Sequence, residues 1–302
     1  LEQTDPRKQT LAVLAGMMTA FALACVPICV RLSEVGPTAT GFYRFFLSFP
    51  FLMTWMIFDH MKDKAPKTPR SAKDYYLIWL AGAFLALDLI FWHWSMVHTS
   101  VVNAMLLSNL TPIFVALSSW IFFSERLTVP LGFAIALAVV GSMILVGGTF
   151  SLSQTQGMGD LMAFCSCLFF SAFLTTIKNL TGKFRTPVIM AWGAVPTMYI
   201  LAVTAYVSGE VMIPQTLYGW GVLFFLALFV HIVGQGLLTF SMTYISATLS
   251  AMLMCLAPLF SGALAWIFFK EGLGMNQLLG GIVILVGVLI ARLPQKRERI
   301  TP

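Results

Sequence analysis

Six residues carry chemistry that is out of place in its surroundings. Arg44 and Asp88 are ionisable groups well inside long apolar runs, and His231 lies midway along another. Trp92, Trp192 and Tyr199 add flat, partly polar surfaces within similar runs. A charge in hydrocarbon is costly, so it faces a partner or a polar cavity rather than lipid. A cation suits a carboxylate, a carboxylate suits an amine or a proton, and an aromatic face suits an organic cation or another ring. All six are therefore candidate substrate contacts, with core packing or interfacial anchoring as the competing reading for each ring.

The same residues exclude other chemistry. An intramembrane enzyme would need a serine with a histidine, or paired aspartates. Asp88 is alone among the aspartates inside the apolar runs, and Asp160 falls at a helix start. Cys25, Cys29, Cys165, Cys167 and Cys255 all lie in apolar runs and lack the further ligands of a tetrahedral metal site. No catalytic residue, metal or cofactor is expected.

The elements that must position these groups are membrane helices. The 302 residues are 59% hydrophobic and only 10% charged, too few charges to cover a soluble globule of this size. The net charge of +6 is spread between apolar runs instead of forming a nucleic-acid-binding stripe. Apolar length and Pro/Gly punctuation predict spans near 10–30, 38–58, 75–95, 100–123, 129–147, 159–178, 186–207, 217–240, 246–269 and 275–292. The first is long enough to span and is read as a helix, not a cleaved signal. Of the 18 Lys and Arg, 15 fall in connections on one side, Arg31 and Lys270 on the other, and Arg44 within a span. This bias predicts cytoplasmic termini in an inner membrane. Arg44 and Asp88 then both lie roughly 10 Å below the outer surface and are expected to form a charge pair facing a central cavity.

Sliding the chain by 146 positions superposes Pro112 on Pro258, Trp120-Ile121-Phe122-Phe123 on Trp266-Ile267-Phe268-Phe269, Glu125 on Glu271 and Gly141 on Gly287. A proline, a tryptophan and a glutamate in one register indicate a true internal repeat. With five spans each, residues 1–150 and 151–302 must be inverted relative to one another. The expected fold is an all-α membrane protein of ten transmembrane helices in two inverted five-helix repeats around a central cavity.

The blocks Asn109-Leu110-Thr111-Pro112 and Cys255-Leu256-Ala257-Pro258, each followed by its Trp-Ile-Phe-Phe block and a Gly-rich apolar helix, resemble the EamA-type repeat of the drug/metabolite transporter superfamily. The resemblance covers essentially all ten spans. It implies a carrier that exports amino acids, other metabolites or toxic organic compounds by alternating access, with aromatic amino acid exporters among its possible relatives. Multidrug or organic-cation export is the alternative within the family, and a channel is the nearest rival outside it. The implied partners are a small-molecule substrate and membrane lipids, with oligomeric state open. Pro112 and Pro258 are expected to kink their helices and are candidate hinges. Glu125 and Glu271 end equivalent helices on opposite faces. They are candidates for gating, with helix capping or loop ion pairs as the alternative.

Overall fold

Each long apolar stretch between helix starters and stoppers folds as a helix. The computed structural model describes residues 6–62, 68–99, 104, 107–124, 128–146, 157–269 and 275–292. In chain order the helices are α1 (Pro6–Leu32), α2 (Pro37–Phe46), α3 (Phe49–Lys62), α4 (Ala72–His98), α5 (Thr111–Phe123), α6 (Val129–Val146), α7 (Gly157–Thr181) and α8 (Thr186–Val207). They are followed by α9 (Leu217–Phe225), a π-helical stretch (Leu226–Gln235), α10 (Gly236–Tyr244), α11 (Ala247–Met254), α12 (Ala257–Phe269) and α13 (Met275–Arg292). Among the described residues 7 helical spans are long and apolar enough to cross a membrane, and shorter apolar helices at Thr111–Phe123, Val129–Ile144 and Leu278–Ala291 complete ten.

Local chemistry explains the starts. Ser71 and Asp74 form a reciprocal capping box at α4. Thr216 accepts from the Gly219 amide at α9, and Ser246 accepts from the Leu249 amide at α11. Prolines occupy the first turns of α2, α5 and α8, where a missing N–H costs nothing.

The outside of the bundle is apolar. Leu217 is 90% exposed and Phe122 72%, the inverse of a water-soluble surface and the expected state for side chains that meet lipid. The interior is closely packed around Phe45, Leu52, Ile78, Leu174, Leu201 and Met252.

The inverted relation of the halves is visible where α6 crosses α13. A Cβ on Gly141 would stand 2.8 Å from the Gly280 carbonyl oxygen, and one on Gly287 would stand 2.8 Å from the Ala134 carbonyl oxygen. Positions 141 and 287, and likewise 134 and 280, are repeat mates at the 146-residue shift, so each half presents to the other the patch it receives. Small residues on both sides let the two backbones approach this closely. Trp120 and Trp266, mates on α5 and α12, are almost equally exposed, 55% and 54%.

Two straps tie the halves at opposite faces. On the face where α1 ends, Glu34 accepts from the Gln215 amide at 2.8 Å, the Thr216 amide at 3.0 Å and the Thr216 hydroxyl. There Glu210 accepts in return from the Thr38 and Ala39 amides at the start of α2, at 3.3 and 2.8 Å. On the face where α1 begins, Arg185 pairs with Asp59 at 3.2 Å. Both glutamates meet helix N-termini, where unpaired amides and the helix dipole favour negative charge.

Candidate functional site

A cavity of about 230 Å³ lies between the halves. Its walls come from α1, α2, α4, α7, the π-helical stretch, and the two interrupted spans that contain α5 and α11–α12. Most of the wall is apolar, including Leu85, Trp92 and Phe170. Two charges break this pattern.

Arg44 reaches the cavity from α2, three residues before the helix breaks at Leu47–Ser48, and is 4% exposed. Its Nη2 donates to Gln235 Oε1 at 3.4 Å, and its guanidinium carbon stands 5.7 Å from the centre of the Phe45 ring. Asp88 enters from α4, where its Oδ1 accepts from the Ser166 hydroxyl of α7 at 2.6 Å. Among the described residues no contact ion pair joins Arg44 to Asp88; the two charges share one cavity without touching. Each charge of the first half instead takes a polar partner from the second: Gln235 holds the cation and Ser166 the carboxylate. A solute can therefore meet both charges without first separating them from each other.

The other expected contacts divide. Trp92 lines the cavity one turn beyond Asp88. His231 does not; it is 2% exposed beside a separate void of about 30 Å³, its ring 4.3 Å from that of Phe45. Trp192 and Tyr199 are also placed away from the main cavity. The face of α8 that meets α4 is set by Gly193 and by Thr197, whose hydroxyl donates to the Gly82 carbonyl at 2.8 Å. Two residues beyond Thr197, about 200° around the helix, Tyr199 points outward and is 69% exposed. Trp192 packs edge-on against Tyr75, with ring centres 5.1 Å apart.

Pro112 and Pro258 each follow a two-residue lapse in helical hydrogen bonding at which Leu110 and Cys255 keep right-handed helical dihedrals, so the chain turns there without leaving the span. The fourth span is interrupted at Asn109–Leu110 and the ninth at Cys255–Leu256, and each proline sits in the first turn of the segment that follows. Proline has no N–H to return to the carbonyl four residues earlier, and before Pro112 that carbonyl, of Ser108, accepts instead from the Thr111 hydroxyl at 2.7 Å. Ser108, Asn109 and Thr111 at one break, and Met254, Cys255, Ala257 and Pro258 at the other, line the same cavity. Glu125 and Glu271 lie outside the described residues.

Gln235 and Ser166 are not among the residues expected at the site, and Asn109 is expected only as part of its repeated block. An amide within an apolar run is costly for the same reason as a charge, so Gln235 was open to the argument that found Arg44. Ser166 carried no such signal, because a serine in a helix readily bonds its own backbone. The π-helical geometry of Leu226–Gln235 had none either, although such stretches recur at functional sites.

The comparisons with known proteins agree with this architecture. The sequence model of the EamA-like transporter family matches residues 9–147 and again 157–293. The pseudopaline exporter CntI of Pseudomonas aeruginosa is 25% identical over 218 residues, covering 70% of this chain and 73% of that protein. An uncharacterized transporter of Archaeoglobus fulgidus is 22% identical over 291 residues, covering 95% of this chain and 98% of its own. A crystal structure at 16% identity superposes with a TM-score of 0.81 over 96% of this chain and 99% of that one, a likeness of fold.

Proposed function

The chain belongs to the EamA-like transporter family, and from that premise we propose that it exports small zwitterionic solutes, amino acids or related metabolites, by alternating access. The observation that carries this reading is the presence of one cation, Arg44, and one carboxylate, Asp88, in a single mostly apolar cavity. An amino acid supplies the complement of each, a carboxylate for Arg44 and an ammonium for Asp88, and brings an apolar or small side chain for the remaining wall. Charged groups buried in a span are expensive to keep unless they serve a ligand or ion path. The volume of about 230 Å³ lies below the range of drug-sized pockets, roughly 300–1,000 Å³, and favours a metabolite.

Export of organic cations is the second reading, favoured by Asp88 beside the Trp92 face. Arg44 opposes it, since a cation bound there would meet a like charge in a low-dielectric site. Export itself is supported by the Pseudomonas relative, which is a pseudopaline exporter. The breaks beside Pro112 and Pro258 are the proposed hinges, and cytoplasmic termini follow from the distribution of Lys and Arg.

The test is counterflow in proteoliposomes loaded with unlabelled leucine and presented with labelled leucine, in parallel with labelled tetraphenylphosphonium. Saturable leucine exchange that Asp88→Asn and Arg44→Gln each reduce at least tenfold in folded protein is the expected result. Movement of the cation without leucine would replace this reading with the second.

A further inference from the structure

The two interrupted spans carry an asymmetry that a twofold scaffold does not require. At the 146-residue shift Ser108 is the mate of Met254, Asn109 of Cys255, Thr111 of Ala257 and Pro112 of Pro258. The backbone is broken at equivalent places in both halves, and residues from both breaks line the same cavity. Identical residues would make this part of the wall symmetric about the axis. Instead one break is polar and its mate is not.

At the first break the Thr111 hydroxyl donates to the Ser108 carbonyl at 2.7 Å. The Ser108 hydroxyl and the Asn109 side-chain nitrogen are buried atoms that find no hydrogen-bond partner among the described residues. The same holds for Nε of Arg44 and Nε2 of Gln235, both on side chains more than nine-tenths buried at this cavity. Four buried polar atoms thus belong to residues that line one cavity, an arrangement that is costly unless something hydrogen-bonds there.

At the second break the polarity is gone. Met254 and Cys255 are 8% and 2% exposed, and the Cys255 thiol stands 3.7 Å from the Ala251 carbonyl of its own helix, leaving no strong donor for a ligand. Ala257 and Pro258 extend this wall with carbon atoms, and Ser261, about a turn further along α12, adds a hydroxyl beyond them. Methionine suits such a place because its flexible thioether conforms to side chains of different shape.

We propose that the break between α11 and α12 is the specificity pocket of the carrier. Met254, Cys255 and Ala257 receive the apolar substituent of the solute, and the break before α5, with Ser108 and Asn109, joins Arg44 in holding its polar head. This assignment rests on the amino-acid reading above and adds which wall selects among amino acids. The preferred substrates are those with aliphatic or other apolar side chains.

Exchanging the second break for its mate tests the pocket. Leucine and asparagine have side chains of similar shape and opposite polarity, so their counterflow rates are compared in proteoliposomes of the full chain. Cys255→Asn and Ala257→Thr, made separately, should each lower the leucine-to-asparagine ratio about tenfold. An unchanged ratio in both variants would overturn the pocket. Should the variants fail to fold, the wild-type protein still decides: alanine, 2-aminobutyrate, norvaline and norleucine should inhibit leucine exchange about fourfold more strongly per added methylene. Inhibition that is flat along this series would overturn the pocket while leaving amino-acid transport standing. Absence of any amino-acid exchange would overturn the functional reading first and the pocket with it.

Discussion

Gln235 is the residue on which the charge arrangement turns, because its one carbonyl oxygen accepts from Arg44 while its buried amide nitrogen has no partner among the described residues. Gln235→Leu should leave a buried guanidinium without its acceptor and cost about 1–3 kcal/mol of stability, read as a lowered Tm. Gln235→Glu should behave differently. It keeps an acceptor for Arg44 but places a carboxylate where the solute's own would bind, so Tm is retained while leucine exchange falls at least tenfold. Equal loss of exchange and of Tm in the two variants would reduce Gln235 to a packing residue. Arg44 and Asp88 were legible in the sequence because a charge inside an apolar run is conspicuous. Their partners were not, since pairing across spans depends on which faces of α2, α4 and α7 meet, and apolar runs of this kind have no polar stripe to reveal it. Trp192 and Tyr199 illustrate the same limit: ring chemistry suggested a cavity, and the rotation of α8 set by Gly193 and Thr197 turned them elsewhere.

Among the elements, the straps are the parts most open to titration. Glu34 lies in the connection between α1 and α2, and its bonds to the Thr216 hydroxyl and amide hold its carboxyl below the ordinary value of 4.5, with the Gln215 amide adding to the effect. Protonation is thus disfavoured in the folded state. The stabilisation is present above pH 4.5 and is lost as pH falls through the lowered folded value. Glu34→Gln should lower Tm slightly at neutral pH and make the difference from wild type vanish in acid, measured by thermal unfolding in detergent from pH 7 to pH 3. A constant difference across that range would mean that Glu34 acts through packing alone. The positions of the helices were readable from apolar length, and the repeat was readable from Pro, Trp and Gly in one register. The interruptions at Asn109–Leu110 and Cys255–Leu256 were half-read: proline signalled a disturbance there, but the choice between a kink and a fresh helix start depends on what the freed backbone meets in the cavity.

For the whole molecule, the two halves meet at the cavity and again where α6 crosses α13. Gly141 and Gly287 occupy equivalent places in that crossing, so Gly141→Leu and Gly287→Leu should destabilise by similar amounts, about 1–3 kcal/mol each, as the added side chains force the backbones apart. Unequal effects differing severalfold in Tm shift would show that the crossing is symmetric in outline only. The straps bind the α1–α2 connection to the start of α9 and the α8–α9 connection to the start of α2 at one face, and the end of α3 to the start of α8 at the other.

The crossing of α6 and α13 has one consequence that concerns origins. Because 141 meets 280 and 287 meets 134, the interface is isologous: either half, turned over in the membrane, would find on a copy of itself the patch it needs. A gene encoding one five-helix half, inserted in both orientations, could therefore assemble as an antiparallel pair without any new surface. Fusing two such copies would fix opposite orientations in one polypeptide and free each copy to change alone. The polar and apolar breaks on either side of this cavity are a division of labour that one gene serving both orientations could not evolve.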